Sequence, residues 1–150
     1  MSSYLLTWCP VSGGHLAIGH KPGKRLRKQL EEESCTLVVN LLSEKESRAS
    51  ESAQRVRFRL QSADPPGSER DAEARALFTR MRDELQQGGR VYLHCSAGLH
   101  RTGMVAYGFL RSLGRPPEEA VALIREMRAL TADALTEERM GWGEGFVLSQ

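Results

Sequence analysis

Apolar residues along this chain fall into short continuous runs and longer stretches spaced three and four apart, and the two kinds alternate. Thr36 to Leu42 (TLVVNLL) is nearly unbroken, the mark of a strand covered on both faces. Val91-Tyr92-Leu93, entered from Gly88-Gly89, predicts a second buried strand. Val56, Phe58 and Leu60 alternate with arginines, as in a half-buried strand, and Tyr4 to Trp8 and Leu16-Ala17-Ile18 are short candidates around a Gly13-Gly14 turn. Helical spacing fills the intervals. A basic helix is expected from Gly23 to Glu33, and Ala74, Leu77, Phe78, Met81 and Leu85 form the stripe of another, headed by Ser68 and Asp71 in the pattern of a capping box. Thr102 to Leu113 is apolar on nearly every side, as in a helix packed inside the domain, and is ended by Gly114 and Pro116-Pro117. Ala120, Leu123, Ile124 and Met127 form a further stripe, and a last helix is expected through Thr136 to Trp142. The polar, Ser-rich stretch from Leu42 to Arg55 predicts a loop or weak helix.

Strands separated by helices need crossover connections, so the order predicts an α/β fold: a single domain, 1–150, with a mainly parallel central sheet and helices on both faces. In such sheets ligands collect at the carboxyl ends of the strands. A chain of 150 residues buries about two-thirds of its unfolded surface without help from disulfides or metal. Hydrophobic residues at 40% and charged ones at 27% are those of a globular protein. Met1 to Pro10 lacks the basic start and apolar run of an export signal, and no apolar stretch is long enough to span a bilayer, so a cytoplasmic location without membrane attachment is expected. Cys9 and Cys35 are then expected as buried, reduced thiols; the alternative is that one of them shields an oxidised Cys95.

The chemistry lies in His94-Cys95-Ser96-Ala97-Gly98-Leu99-His100-Arg101-Thr102-Gly103, between a predicted strand and a predicted helix. A cysteine with an arginine six positions on arises readily by chance among three cysteines in an Arg-rich chain; the flanking elements give the spacing its meaning. At a helix N-terminus, unpaired backbone N–H groups and the helix dipole favour an anion, and a thiol there beside a guanidinium is drawn toward its nucleophilic anion. Arg101 offers a planar fork for two phosphoryl oxygens, Gly98 lets the backbone turn its amides inward, and Thr102 places a hydroxyl beside the sulfur. His94 fits an orienting role rather than proton transfer.

HCSAGLHRTG resembles the signature loop of the protein tyrosine phosphatase superfamily, and the chain is similar to its small dual-specificity branch. The resemblance implies Cys95 as nucleophile through a cysteinyl-phosphate intermediate. Ser96, Ala97, Gly98, Leu99, His100 and Arg101 would bind the phosphate, and Thr102 would assist the leaving sulfur. It also implies a carboxylic acid on an earlier loop, for which Asp64, between the Val56-Phe58-Leu60 run and Pro65-Pro66-Gly67, is the candidate; its plainer reading is a turn former. Arg139 stands where larger relatives carry a glutamine that positions water. His100 either lines the pocket rim or points to solvent. No cofactor and no metal are implied.

The expected activity is a phosphatase acting on phosphotyrosine and phosphoserine or phosphothreonine in a phosphoprotein or phosphopeptide, by a chain expected to be monomeric. Two alternatives stand beside it: the same chemistry on phosphoinositide or an RNA 5′ triphosphate, and a phosphate-binding module without catalysis. The cluster His20, Lys21, Lys24, Arg25, Arg27 and Lys28 could draw an acidic ligand. With a net charge of only +2 and no aromatic residues interleaved, it is better read as a solvated helix face, and nucleic acid is not expected as a partner. Trp8, Trp142 and Phe146 are expected in the core or an interface.

Overall fold

The computed structural model describes residues 5–43 and 54–147. Five strands, β1 (Cys9–Val11), β2 (Gly14–Gly19), β3 (Leu37–Asn40), β4 (Arg55–Arg57) and β5 (Arg90–His94), form one sheet in the order β1-β2-β5-β3-β4. Only β1 runs antiparallel to its neighbour; β2, β5, β3 and β4 are parallel throughout. The sequence pattern thus yields the mainly parallel α/β sheet expected of it. Among the described residues six α-helices accompany it: α1 (Lys24–Glu32), α2 (Asp71–Gln86), α3 (His100–Ser112), α4 (Pro117–Met127), α5 (Ala129–Asp133) and α6 (Glu137–Glu144).

The period-two alternation of the central strands sorts the core into two layers. Ala17, Val38 and Tyr92 turn to one face, where Leu26 and Leu30 of α1 cover them. Leu16, Ile18, Leu37, Val39, Val91 and Leu93 turn to the other, against Leu77, Phe78 and Met81 of α2 and the nearly all-buried face of α3. The basic residues Lys24, Arg25, Arg27 and Lys28 of α1 are exposed, as expected of a solvated face. Among the described residues no helix is long and apolar enough to cross a membrane.

Several local expectations are corrected. Residues 5–8 do not form a strand; Leu5 is 93% exposed, and the edge strand starts at Cys9 because the two-residue turn Ser12-Gly13, with φ of 50° and 95°, sets its pairing. Tyr4 lies outside the described residues, as does most of the Leu42 to Arg55 stretch. Ser68 makes no cap: Ser68–Arg70 is a 3-10 turn and α2 begins at Asp71, whose carboxylate stands in the first turn where the helix dipole favours it. β3 ends at Asn40, although Leu41 and Leu42 beyond it stay buried. Helix α5 was not foreseen. The three cysteines are free: Cys9 is buried in the larger core layer, while Cys35 is only half-buried on the opposite face.

Candidate active site

Parallel strands end together, and the catalytic candidates lie where they end. Cys95 follows β5, the stretch from Leu60 to Asp64 follows β4, and Lys21 follows β2, its backbone N–H donating to the Ser96 carbonyl at 2.9 Å. The loop from Cys95 to Leu99 therefore sits at the carboxyl edge of the sheet and runs directly into α3, which starts at His100, two residues before the expected Thr102. Residues of this loop and the first turn of α3 line one small cavity, and a helix N-terminus is a place that attracts anions.

Cys95 is 3% exposed and lies in a cavity of about 210 Å³ lined also by Gln61, Ser62, Ala63, Ser96, Ala97, Leu99, His100 and Arg101. The Thr102 hydroxyl, itself buried, donates to its Sγ at 3.0 Å, so the sulfur is held by a donor that stabilises negative charge. His94 is 2% exposed and donates from Nδ1 to the Cys95 carbonyl at 3.1 Å, while its ring stacks on Tyr92. Burial, foremost, pushes the His94 imidazole down to about 4, with the nearby cations Arg55, Lys21 and His20 acting the same way and the Cys95 carbonyl opposing them. The ring is therefore neutral at physiological pH. His100 is exposed and also lines the cavity.

Gly98 has φ of +75°, and a Cβ there would collide with the carbonyl group of Gly19, so the loop closes this tightly only with glycine. Two side chains that sequence reasoning missed hold the loop from outside. Arg128, at the break between α4 and α5, donates through one guanidinium nitrogen to the carbonyls of Ala97 and Gly98 at 3.0 and 2.9 Å. The fully buried Thr131 donates to the Gly98 carbonyl at 2.5 Å. Neither residue lines the Cys95 cavity, so these bonds hold the two carbonyls from outside it. The apolar stripe of α4 stops at Met127, and no periodicity marks the residues beyond it.

Arg101 is half-buried, lines the cavity, and donates to the Leu60 carbonyl at 2.9 Å, tying the stretch after β4 to the Cys95 cavity. Asp64 is exposed and lines the adjoining cavity, which shares Gln61 and Ser62 with that of Cys95; it is not itself among the residues lining the Cys95 cavity. Ser62 bridges to it, accepting from the Asp64 N–H at 3.2 Å and donating to its carboxylate at 3.4 Å. Phe146 is buried and Trp142 packs against the larger core layer, while Trp8 packs on the smaller one with its indole N–H on Glu33. No group of three metal-ligating side chains is assembled among the described residues.

A sequence model of the tyrosine phosphatase family matches residues 15–123. No curated protein matches the chain. Among solved structures it is similar in fold to Tk-PTP in the active form, at 21% identity over 91% of this chain and 94% of that one, with a TM-score of 0.71. PTPMT1 in complex with PI(5)P is similar at 19% identity over 87% of this chain and 89% of that one, with a TM-score of 0.71. Human DUSP28 is similar at 18% identity over 87% and 90% of the two chains, with a TM-score of 0.70.

Proposed function

The chain belongs to the tyrosine phosphatase family, and from that premise we propose a phosphomonoester hydrolase that works through Cys95 on phosphotyrosine, phosphoserine and phosphothreonine in proteins or peptides. The observation that carries the reading is the Cys95 sulfur itself: nearly buried, bonded by the Thr102 hydroxyl, and seated with Arg101 in a cavity at the mouth of a helix. In the first step Cys95 Sγ attacks phosphorus, the bond from phosphorus to the ester oxygen breaks, and Asp64 protonates the departing alkoxide. The loop amides and the Arg101 fork hold the three equatorial oxygens as charge spreads over them. In the second step water attacks the phosphocysteine, Asp64 takes its proton, and the sulfur leaves as a thiolate onto which Thr102 donates.

Asp64 reaches this task from the cavity that adjoins that of Cys95, and general acids of this kind contribute about 10²–10⁴ in rate. No phenyl or indole ring lines the Cys95 cavity, which supports alkyl as well as aryl esters. A second reading, phosphoinositide as substrate, draws on Lys21, whose backbone bond to Ser96 sets the exposed basic stretch of α1 beside the loop, and on the likeness to a phosphatase solved with PI(5)P. Phosphopeptides and PI(5)P assayed side by side separate the two.

The test of the chemistry is phosphate release from para-nitrophenyl phosphate. Wild type should turn over, while Cys95→Ser should lose turnover and keep phosphate affinity, because a serine hydroxyl is not ionised at neutral pH. A wild type that releases no phosphate, or a Cys95→Ser variant with full activity, contradicts the proposal.

A further inference from the structure

Beyond β4 the chain leaves the sheet, and the last ladder-like bond is from the Leu60 N–H to the Leu41 carbonyl. From there to Gly67 it forms no regular element, yet it must carry Asp64 to a fixed place. Three guanidinium groups from other parts of the fold grip this segment by its carbonyl oxygens. Arg70 donates to Arg59 at 2.8 Å, Arg101 to Leu60 at 2.9 Å, and Arg139 through Nε to Ala63 at 2.9 Å.

The Arg139 contact differs from the others in its target. The Ala63 carbonyl belongs to the peptide unit that enters Asp64, and the N–H of that same unit donates to the Ser62 hydroxyl. Both polar groups of the peptide plane are therefore fixed, which sets the direction in which the Asp64 side chain leaves the backbone. Arg139 comes from the first turn of α6, where its own N–H donates to the Thr136 cap. Its other arm reaches the far end of the catalytic loop, with NH1 3.5 Å from Nδ1 of His100. Arginine has five donors and no acceptor, so the ring nitrogen is the acceptor and Arg139 cannot act on water as a base. It is half-buried and outside the cavity lining, so it touches no reacting atom.

We propose that Arg139 is a positioning residue that spans the Asp64 segment and the catalytic loop and so sets the geometry of proton transfer to the leaving group. The inference rests on the phosphatase reading. Its consequence is selective: the step that depends on Asp64 suffers when the span is cut, and esters that leave without a proton do not notice.

The experiment compares kcat/KM, which reports formation of the phosphoenzyme, for phenyl phosphate and 2,4-dinitrophenyl phosphate in wild type, Arg139→Ala, Asp64→Ala and the double variant. Arg139→Ala should lose about tenfold on phenyl phosphate, a part of what the acid supplies, and less than about twofold on the dinitrophenyl ester. In the Asp64→Ala background the Arg139 change should add no further loss, because the residue acts through the carboxylate. An unchanged Arg139→Ala, an equal loss on both esters, or a loss that multiplies with that of Asp64→Ala overturns the proposal while leaving the phosphatase reading in place. A wild type inactive on both esters removes that reading, and this inference with it.

Discussion

Lowering the pH should destabilise this fold, and part of the effect can be traced to His94. In the unfolded chain its ring takes up a proton near the ordinary 6.5; in the fold burial delays uptake until about 4. Between those values the unfolded state binds more protons than the folded one, so the contribution of His94 is fully present above about pH 7 and is lost as the pH falls toward 4. At about 1.4 kcal/mol per pH unit the whole effect is roughly 3 kcal/mol, of which about 2 kcal/mol is gone by pH 5. The structure gives the cause: the ring is 2% exposed, its Nδ1 is committed to the Cys95 carbonyl, and Nε2 finds no hydrogen-bond partner among the described residues, so a second proton there would be buried without an acceptor. Urea unfolding at pH 7.5 and pH 5.0, for wild type and His94→Asn, isolates the effect, because other titrating groups are common to both proteins. Wild type should lose about 2 kcal/mol more than the variant over this interval. Equal losses would show that His94 is not held neutral by burial, and the argument for its orienting role would go with it.

Three further outcomes follow from the loop. Gly98→Ala should cost about 1–3 kcal/mol in urea unfolding and weaken phosphate binding, since the positive φ and the Gly19 backbone leave a methyl group nowhere to go; an unaltered midpoint would contradict the observed packing. Thr102→Val should slow breakdown of the phosphoenzyme more than its formation, enlarging the pre-steady-state burst with para-nitrophenyl phosphate, because the leaving sulfur loses the hydroxyl that donates to it. A burst equal to that of wild type would remove the role given to the hydroxyl. Asp64→Ala should abolish the basic limb of the pH–rate profile for phenyl phosphate, and an unchanged profile would point to another acid.

The parts of the fold that are written locally were legible from the amino acids. The stripe Ala74, Leu77, Phe78, Met81 and Leu85 is the buried face of α2, and the unbroken run Leu37 to Asn40 is a strand buried along its whole length. The stripe is periodic because it faces one layer, and the run is unbroken because the strand is covered on both faces. Leu41, Leu42, Phe58 and Leu60 are buried without lying in a strand, since the chain there is leaving the sheet and packs by tertiary contact; the strands were accordingly drawn too long. Ser68 failed as a cap for a similar reason: the 3-10 turn moved the helix start past it.

The nucleophile loop could be read because all of its chemistry lies within ten consecutive residues. Arg128, Thr131 and Arg139 could not, because each acts on a backbone carbonyl far away in sequence, and a carbonyl carries no residue identity for a pattern to detect. Asp64 stands between these cases. Its position after β4 was legible, but its placement depends on bonds from Arg139 and Ser62 that only the folded arrangement displays.

The claim at the centre of this account is a covalent bond between phosphorus and Cys95. Wild-type protein mixed rapidly with para-nitrophenyl phosphate, quenched in acid and digested should yield a peptide spanning Cys95 that carries one phosphoryl group on sulfur, absent from Cys95→Ser treated in the same way. Turnover with no such adduct at any quench time, or the phosphoryl group on another residue, would contradict it.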